Sequence, residues 1–181
     1  LDYRKAQGPF DRIVSVGMFE HVGATQHQEY FAQVRELLKP DGVALIHTIG
    51  RMGGPGAVSP WFRKYIFPGA HVPAVSEFAA AAESAKLWIT DIEILRRHYA
   101  ETLLHWERRF QAERATVEKM FDARFCRMWE FYLIAGEIGF RYGKQMVIQM
   151  QVTKSLDTLP ITRDYLMQAE VALQQRERPL L

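Results

Sequence analysis

Two ionisable side chains stand where two short apolar runs end. Glu20 lies in SVGMFEHVG, directly after FDRIV, and His47 lies near the end of GVALIHTIG. If the two runs form neighbouring parallel strands, their carboxyl ends meet at the edge of the sheet where α/β proteins bind ligands. A carboxylate and an imidazole placed together there can hold an anion or move a proton. Each also has a structural explanation, because Glu20 suits a first helical turn and His47 could bond to the backbone.

For three further side chains the sequence evidence for a functional role is weaker. Tyr99 shares an apolar helical stripe with Trp106, so a core position explains it as well as a site does. Cys126 lies between arginines that would favour a thiolate, although a small buried helix residue is the simpler interpretation. We interpret His21 as structural, because neighbours on a helix face different sides and the histidine spacings do not suit a metal. The sequence therefore predicts no metal site.

The elements that must position these residues begin as strand, helix and strand. Residues 12–16 form a β-branched run, residues 28–38 have helical apolar spacing, and KPDG at 39–42 predicts a turn before the next strand. This pattern is one βαβ crossover. After a Gly- and Pro-rich loop at 51–60, the patterns predict a helix from Ser76, a strand at 87–94, two long helices carrying Tyr99 and Tyr132, an alternating strand in KQMVIQMQVTK, and a tail helix from about Thr162.

Composition excludes several classes of protein. The chain has 181 residues, is 48% apolar and carries a net charge of +2, which describes neither a disordered nor a polybasic protein. A single cysteine makes a reducing cytoplasm the default location, and no apolar run approaches the roughly 20 residues that cross a bilayer. We expect the aromatic and basic stretch Trp61 to Phe67 to be a loop, and PWFRKYIFP could contact single-stranded nucleic acid, act as a lid or face lipid. Without a wider basic stripe, we expect no nucleic-acid partner.

Several longer segments carry a resemblance to a known family. They resemble segments of the cyclopropane-fatty-acyl-phospholipid synthases, relatives of the mycolic acid cyclopropane synthases. The segments are GPFDRIVSVGMFEHVG, YFAQVRELLKPDGVALIHTIG, WFRKYIFPGAHVP, HYAETLLHWERRF and QMVIQMQVTK. The resemblance runs in order through residues 1–155 and leaves 156–181 as a C-terminal extension. It implies an α/β fold, namely the C-terminal part of a class I (Rossmann-like) S-adenosylmethionine-dependent methyltransferase with a helical insert and an antiparallel final strand.

The resemblance also implies a reaction. Family members use S-adenosylmethionine to add a methylene across a cis double bond of a phospholipid acyl chain, with a bound bicarbonate ion as the base. Carried over residue by residue, the bicarbonate ligands would be Glu20, His47, the backbone at Ile49, and Tyr99. Because a buried anion beside a carboxylate needs bridging protons, we expect Glu20 to share a proton with bicarbonate while His47 and Tyr99 donate.

Other positions follow from the same resemblance. Asp2 and Tyr3 resemble the segment that flanks the adenine of the cofactor. Aromatic side chains around the acyl chain would exclude water and stabilise a carbocation-like centre, and the candidates are Phe19, Trp106 and Tyr132.

The sequence also departs from the family. Family members carry a glycine-rich cofactor loop, an acidic ribose-binding residue and a bicarbonate-contacting cysteine upstream of the present first residue, which is not Met. We therefore expect the first strands of the sheet to be absent, residues 12–16 to form an exposed edge, and the isolated chain to bind the cofactor poorly and be inactive.

Two alternative functions stay open at this point. One is a C-methyltransferase that produces methyl-branched acyl chains, and the other is a non-catalytic lipid-binding module. For the partners, we expect phospholipid acyl chains at the membrane surface, contacted through residues 61–67, with a homodimer as one oligomeric option. The expected location is cytoplasmic, peripheral to the inner face of the membrane.

Overall fold

A four-stranded mixed sheet organises the computed structural model, which describes residues 2–177. The strands are β1 (Phe10–Val16), β2 (Leu38–Arg51), β3 (Trp88–Leu95) and β4 (Gln145–Thr153), in the spatial order β1-β2-β4-β3. β1 and β2 are parallel, whereas β4 runs antiparallel to both β2 and β3. The predicted βαβ crossover and the predicted antiparallel final strand are both confirmed.

Seven α-helices connect and cover the strands within the described range. They are α1 (His27–Leu37), α2 (Pro60–Tyr65), α3 (Val75–Ser84), α4 (His98–Ala112), α5 (Arg114–Met120), α6 (Ala123–Arg141) and α7 (Asp164–Glu177). α7 confirms the predicted tail helix, and residues 178–181 of the predicted extension lie outside the described residues. No helix within residues 2–177 is both long and apolar enough to cross a bilayer.

Two local predictions are wrong in detail. The segment 39–42, predicted as a turn, lies inside β2, because the strand begins directly after α1 with the fully buried Leu38 paired to Phe10. The next register pair joins Arg12 to Val43, so the four residues KPDG of β2 lie opposite one residue of β1. KPDG therefore forms a bulge within the strand. The aromatic stretch after Ser59 was predicted as a loop, yet it forms α2, with Pro60 in the first turn where proline suits a helix.

The two faces of the sheet pack against different helices. Alternate residues of β4, including Ile148 and Met150, join a core with α1 and α3. Val147, which points to the other face, packs with side chains of α4 and α6 such as Leu103 and Leu133. The predicted apolar face of the last strand is therefore confirmed, and the second face supports the helices that surround the site.

β1 is an edge strand within the described chain, as the sequence predicted. Val14 and Val16 are 68% and 65% exposed, whereas no residue of β4 and none of β2 from Gly42 to Arg51 is exposed. An exposed edge strand presents unpaired backbone groups and apolar side chains together.

Candidate active site

A cavity of about 550 Å³ opens beyond the carboxyl end of β1. β1 and β2 are last paired at Val16 and His47, but β2 continues to Arg51 and forms one wall of the cavity. α2, α4, α6 and the loops around them supply the remaining walls. Its lining includes Glu20, Ile49, Arg51, Tyr99, Tyr132 and Lys144.

Glu20 is the central polar group of this cavity. It lies in a 3-10 turn at Phe19–His21 and is only 7% exposed. Its Oε1 accepts a hydrogen bond of 2.7 Å from the backbone N–H of Ile49, whereas its buried Oε2 has no partner among the described residues. A buried carboxylate oxygen without a donor is costly, so Oε2 marks a place where a ligand can supply one.

The Ile49 backbone has a definite part in this arrangement. Because its N–H is committed to Glu20, and its carbonyl accepts from Thr48 Oγ1 at 3.1 Å, Ile49 acts on a ligand mainly through the carboxylate that it orients. Its predicted contact with bicarbonate stays a prediction.

Phe19 lies in the core instead of at the cavity. The ring is fully buried, stacks on His27 at a centroid distance of 4.3 Å, and meets Phe78 edge-on at 4.9 Å. Phe19 was predicted to contact the acyl chain, but in this structure its ring lies in the core and does not line the cavity. Its physical role is to anchor the short turn, so that the next residue, Glu20, faces the cavity.

Two tyrosines of the helices, Tyr99 of α4 and Tyr132 of α6, line the cavity. Burial raises the pKa of Tyr99 above its ordinary value, and the nearby Glu20 carboxylate raises it further. Burial, with a smaller effect from Tyr99, raises the pKa of Tyr132 to about 12. Both hydroxyls therefore keep their protons at neutral pH and can donate hydrogen bonds.

His47 does not line the cavity in this conformation. Its Nδ1 lies 3.3 Å from Oε1 of Gln149, whose amide nitrogen donates to Glu93 Oε2 at 2.8 Å. Since a carboxylate can only accept, Glu93 fixes the orientation of the Gln149 amide and places the His47 proton on Nδ1. In the neutral ring Nε2 is then an acceptor, and the role of His47 as a donor stays a prediction. Contact of His47 with bicarbonate stays a prediction.

The remaining predicted site residues lie apart from the cavity. Trp106 is 37% exposed and meets Tyr99 edge-on at 6.0 Å without lining the cavity. Asp2 caps a 3-10 turn and pairs with Arg4 at 2.6 Å, an interaction that lowers the pKa of Asp2 to about 2. The Tyr3 hydroxyl is buried and has no hydrogen-bond partner among residues 2–177. The cofactor contacts of Asp2 and Tyr3 stay predictions.

The sequence missed several cavity residues. His21, interpreted as structural, is exposed, lines the cavity and lies 6.2 Å from the Phe67 ring. Arg51 and Lys144 also line it, and the only sequence signal for Arg51 was a charged residue directly after an apolar strand. Cys126 is fully buried in α6, as expected. Within residues 2–177, no group of three or more His, Cys, Asp or Glu side chains could hold a metal.

Comparison with solved structures defines the class of protein. The crystal structure of the mycolic acid cyclopropane synthase CmaA1 complexed with SAH and CTAB matches with a TM-score of 0.77 and 27% identity, over 83% of this chain and 57% of that chain. The fold is accordingly that of the class I S-adenosylmethionine-dependent methyltransferases.

The family follows from the sequence comparison. Residues 1–150 match the family described as mycolic acid cyclopropane synthetase, and the chain belongs to that family. It is 42% identical to the cyclopropane-fatty-acyl-phospholipid synthase of Escherichia coli K12 over 140 residues, or 77% of this chain and 36% of the relative. It is 40% identical to the tuberculostearic acid methyltransferase UfaA1 of Mycobacterium tuberculosis over 154 residues, covering 82% and 36%. The chain thus spans just over a third of the length of these relatives.

Proposed function

We propose that this chain supplies one wall of the active site of a lipid-modifying methyltransferase that forms cyclopropane rings. The reaction would transfer a methylene from S-adenosylmethionine to a cis double bond of a phospholipid acyl chain. The observation that carries the proposal is the buried, unpartnered Oε2 of Glu20, placed in an otherwise largely apolar cavity at the carboxyl end of β1. The 42% identity to the Escherichia coli synthase supports the choice of reaction.

S-adenosylmethionine fits the edge of the cavity beside β1. Gly17 follows the strand with φ of 64°, a conformation in which a missing side chain leaves the backbone open to a ligand. The match to a structure that contains SAH supports this cofactor. When bound, it would supply an electrophilic methyl group. Gly17, which lines the cavity, would let it approach the strand end.

Bicarbonate fits the polar end of the cavity. As a weak base it would accept a proton, and the cavity offers partners for two of its three oxygens. Glu20 Oε2 can accept the bicarbonate hydroxyl proton, and the Tyr99 hydroxyl, which stays protonated, can donate to an oxygen. The backbone N–H of Ile49 holds Glu20 in place for this contact.

The apolar walls would protect the reacting carbons from water. Phe62, Leu103 and Phe140 line the same cavity as Glu20, and the Tyr132 ring meets Phe62 and Phe67 edge-on at 6.0 and 5.7 Å. Such walls receive an acyl chain, exclude water and offer aromatic faces to a positively charged centre.

The expected membrane contact is supported by a second surface on α2. A groove of about 570 Å³ lies between α2 and α6, and its lining includes Trp61, Tyr65, Phe131, Arg124 and Arg127. Phe131 is 52% exposed, and aromatic rings beside arginines suit the interface of an anionic bilayer. Phe62 of the same helix lines the cavity, so a lipid bound at this surface would lie next to its entrance. The homodimer and the cytoplasmic location stay predictions.

Lipid analysis tests the proposed function. Cells that produce the full-length protein carrying this chain should accumulate acyl chains that have lost a double bond and gained a methylene. Mass spectrometry detects the gain, and proton NMR detects the ring. Absence of modified chains in cells that contain folded protein would contradict the proposal and favour a non-catalytic lipid-binding module.

A second candidate is methyl branching instead of ring formation. It is favoured by the 40% identity to a tuberculostearic acid methyltransferase. In that case proton loss after methyl transfer would leave a carbon–carbon double bond, so the same lipid analysis should give the gain of one CH2 with branched-chain and alkene NMR signals and no ring signals.

A further inference from the structure

Two cations line the part of the cavity where β2 ends and the segment before β4 lies. Arg51 and Lys144 both line it, and Arg51 pairs across the sheet with Gln145. The backbone N–H of Met52 donates to the carbonyl of Lys144 at 2.8 Å, which ties the loop after β2 to this corner. Glu20 is the only carboxylate among the described residues that line the cavity.

The Arg51 guanidinium lies close to the backbone of the loop after β2 and has no acidic partner among the described residues. Its Nε is buried without a hydrogen-bond partner among residues 2–177, and no described carboxylate lies within 4.0 Å of it. The guanidinium lies against Gly56, where a Cβ would overlap its terminal nitrogen. A half-buried cation without a counter-charge is unfavourable, and a bound anion would remove the penalty.

The groups that surround Arg51 and Lys144 in the cavity indicate which anion fits. Ile49, whose N–H orients Glu20, lies two residues before Arg51 on the same strand, so the two backbone positions are about 7 Å apart. The apolar side chains of Phe62, Leu103 and Phe140 line the same cavity. The cavity therefore combines one buried carboxylate, an apolar lining and two cations, a set of groups that suits a molecule with a hydrocarbon chain and an anionic head.

We infer that Arg51 and Lys144 form an oxyanion subsite that binds the phosphodiester of the phospholipid substrate. This inference rests on the proposed function, because it assigns the head-group end of the same cavity. The planar guanidinium donates paired hydrogen bonds to phosphate oxygens, and the more exposed Lys144 contributes a flexible second charge. The subsite makes an anionic head group a condition for productive binding.

Affinity measurements on the full-length protein test the subsite. Four variants are compared with the wild type: Arg51→Met, Lys144→Met, Gly56→Val and, as a matched control, Arg108→Met, which changes an exposed arginine of α4. The ligands are dioctanoyl phosphatidylglycerol, decanoate and uncharged dioctanoylglycerol. Intrinsic tryptophan fluorescence or calorimetry reports binding, and thermal unfolding confirms that each variant is folded.

We expect Arg51→Met to lower the affinity for phosphatidylglycerol by about 10- to 100-fold, the usual range for hydrogen bonds to a charged group. Lys144→Met should give a smaller loss, because the side chain is exposed. Gly56→Val should weaken binding without changing the charge, because the added side chain displaces the guanidinium. Affinity for dioctanoylglycerol should stay within about twofold in every variant, since it has no anionic group for the subsite.

Equal affinities of Arg51→Met and Arg108→Met for phosphatidylglycerol would overturn the subsite. A loss confined to decanoate would overturn the assignment to a phosphodiester and indicate a carboxylate. An unchanged affinity of Gly56→Val would overturn the placement of the guanidinium against this glycine. These failures differ from failure of the proposed function, in which no lipid is modified and dioctanoylglycerol is not bound by the wild type.

Discussion

The two faces of the sheet differ in what they bury. On the face covered by α1 and α3, Phe19, Phe31 and Phe78 are fully buried and pack ring against ring at centroid distances of 4.9 to 5.6 Å. On the face covered by α4 and α6, a 550 Å³ cavity remains, and it contains the unpartnered polar atoms of Glu20 and Arg51. The first face stabilises the fold, and the second keeps space and polar groups for a ligand.

In the turn at Phe19–His21, a residue that stabilises the core and a residue that lines the cavity are neighbours. Phe19 belongs to the closed face and Glu20 to the cavity, although they are adjacent in the sequence. Substitutions on the closed face should therefore lower stability, whereas conservative substitutions in the cavity should lower turnover. The following predictions test that separation, from the largest expected effect to the smallest.

Phe78→Ala should lower the free energy of unfolding by about 3 to 5 kcal/mol, because it opens a void among fully buried aromatic rings. Chemical denaturation measures this change. The control is Phe131→Ala on α6, where the side chain is 52% exposed and the cost should be about 1 kcal/mol. Similar losses for the two variants would remove the distinction between the faces.

Tyr99→Phe should lower turnover of the full-length protein by roughly 100-fold, because it removes a hydrogen-bond donor beside Glu20. The unfolding midpoint should change little, since the ring stays in place. Tyr142→Phe is the matched control, as this tyrosine is 79% exposed. If the hydroxyl of Tyr99 is dispensable, both variants will turn over substrate like the wild type.

His27 gives the closed face a dependence on pH. Burial, together with the nearby His71, lowers its pKa from the ordinary 6.5, so the folded state favours the neutral ring. The unfolded state binds more protons just below pH 6.5, and the contribution to stability is complete above that pH and is lost as the pH falls toward the folded-state pKa. The added slope is at most about 1.4 kcal/mol per pH unit.

Denaturation of the wild type and His27→Gln between pH 7.5 and about 4.5 measures this slope. The variant should lose the part of the slope that lies below pH 6.5, whereas His105→Gln, an exposed change on α4, should keep it. Parallel curves for the wild type and His27→Gln would show that His27 does not couple to folding.

Most of the architecture could be predicted from local patterns, because each strand has β-branched residues or strict alternation and each long helix has an apolar stripe. KPDG was mistaken for a turn between elements because a bulge uses the same residues, and only the register between Phe10 and Leu38 separates the two. The aromatic segment of α2 lacked the length that makes helical periodicity visible.

The cavity was harder to predict than the fold. Placement of Glu20 beyond β1 followed from strand topology, but the opposite orientation of Phe19 depends on a 3-10 turn that sequence spacing does not specify. The hydrogen-bond series from His47 through Gln149 to Glu93 links side chains of three strands, so no local sequence pattern indicates it. Arg51 and Lys144 are far apart in sequence and meet only through the pairing of β2 with β4.

The most direct test of the central claim is the turnover of Glu20→Gln in the full-length protein, measured per folded molecule on phospholipid vesicles, with Glu118→Gln on α5 as the matched control. We predict a loss of at least about 100-fold, because the amide cannot accept and release a proton as the carboxylate does. Lipid affinity and unfolding midpoint should stay close to those of the wild type. Turnover within about threefold of the wild type, with the variant folded and lipid bound, would contradict a catalytic role for Glu20.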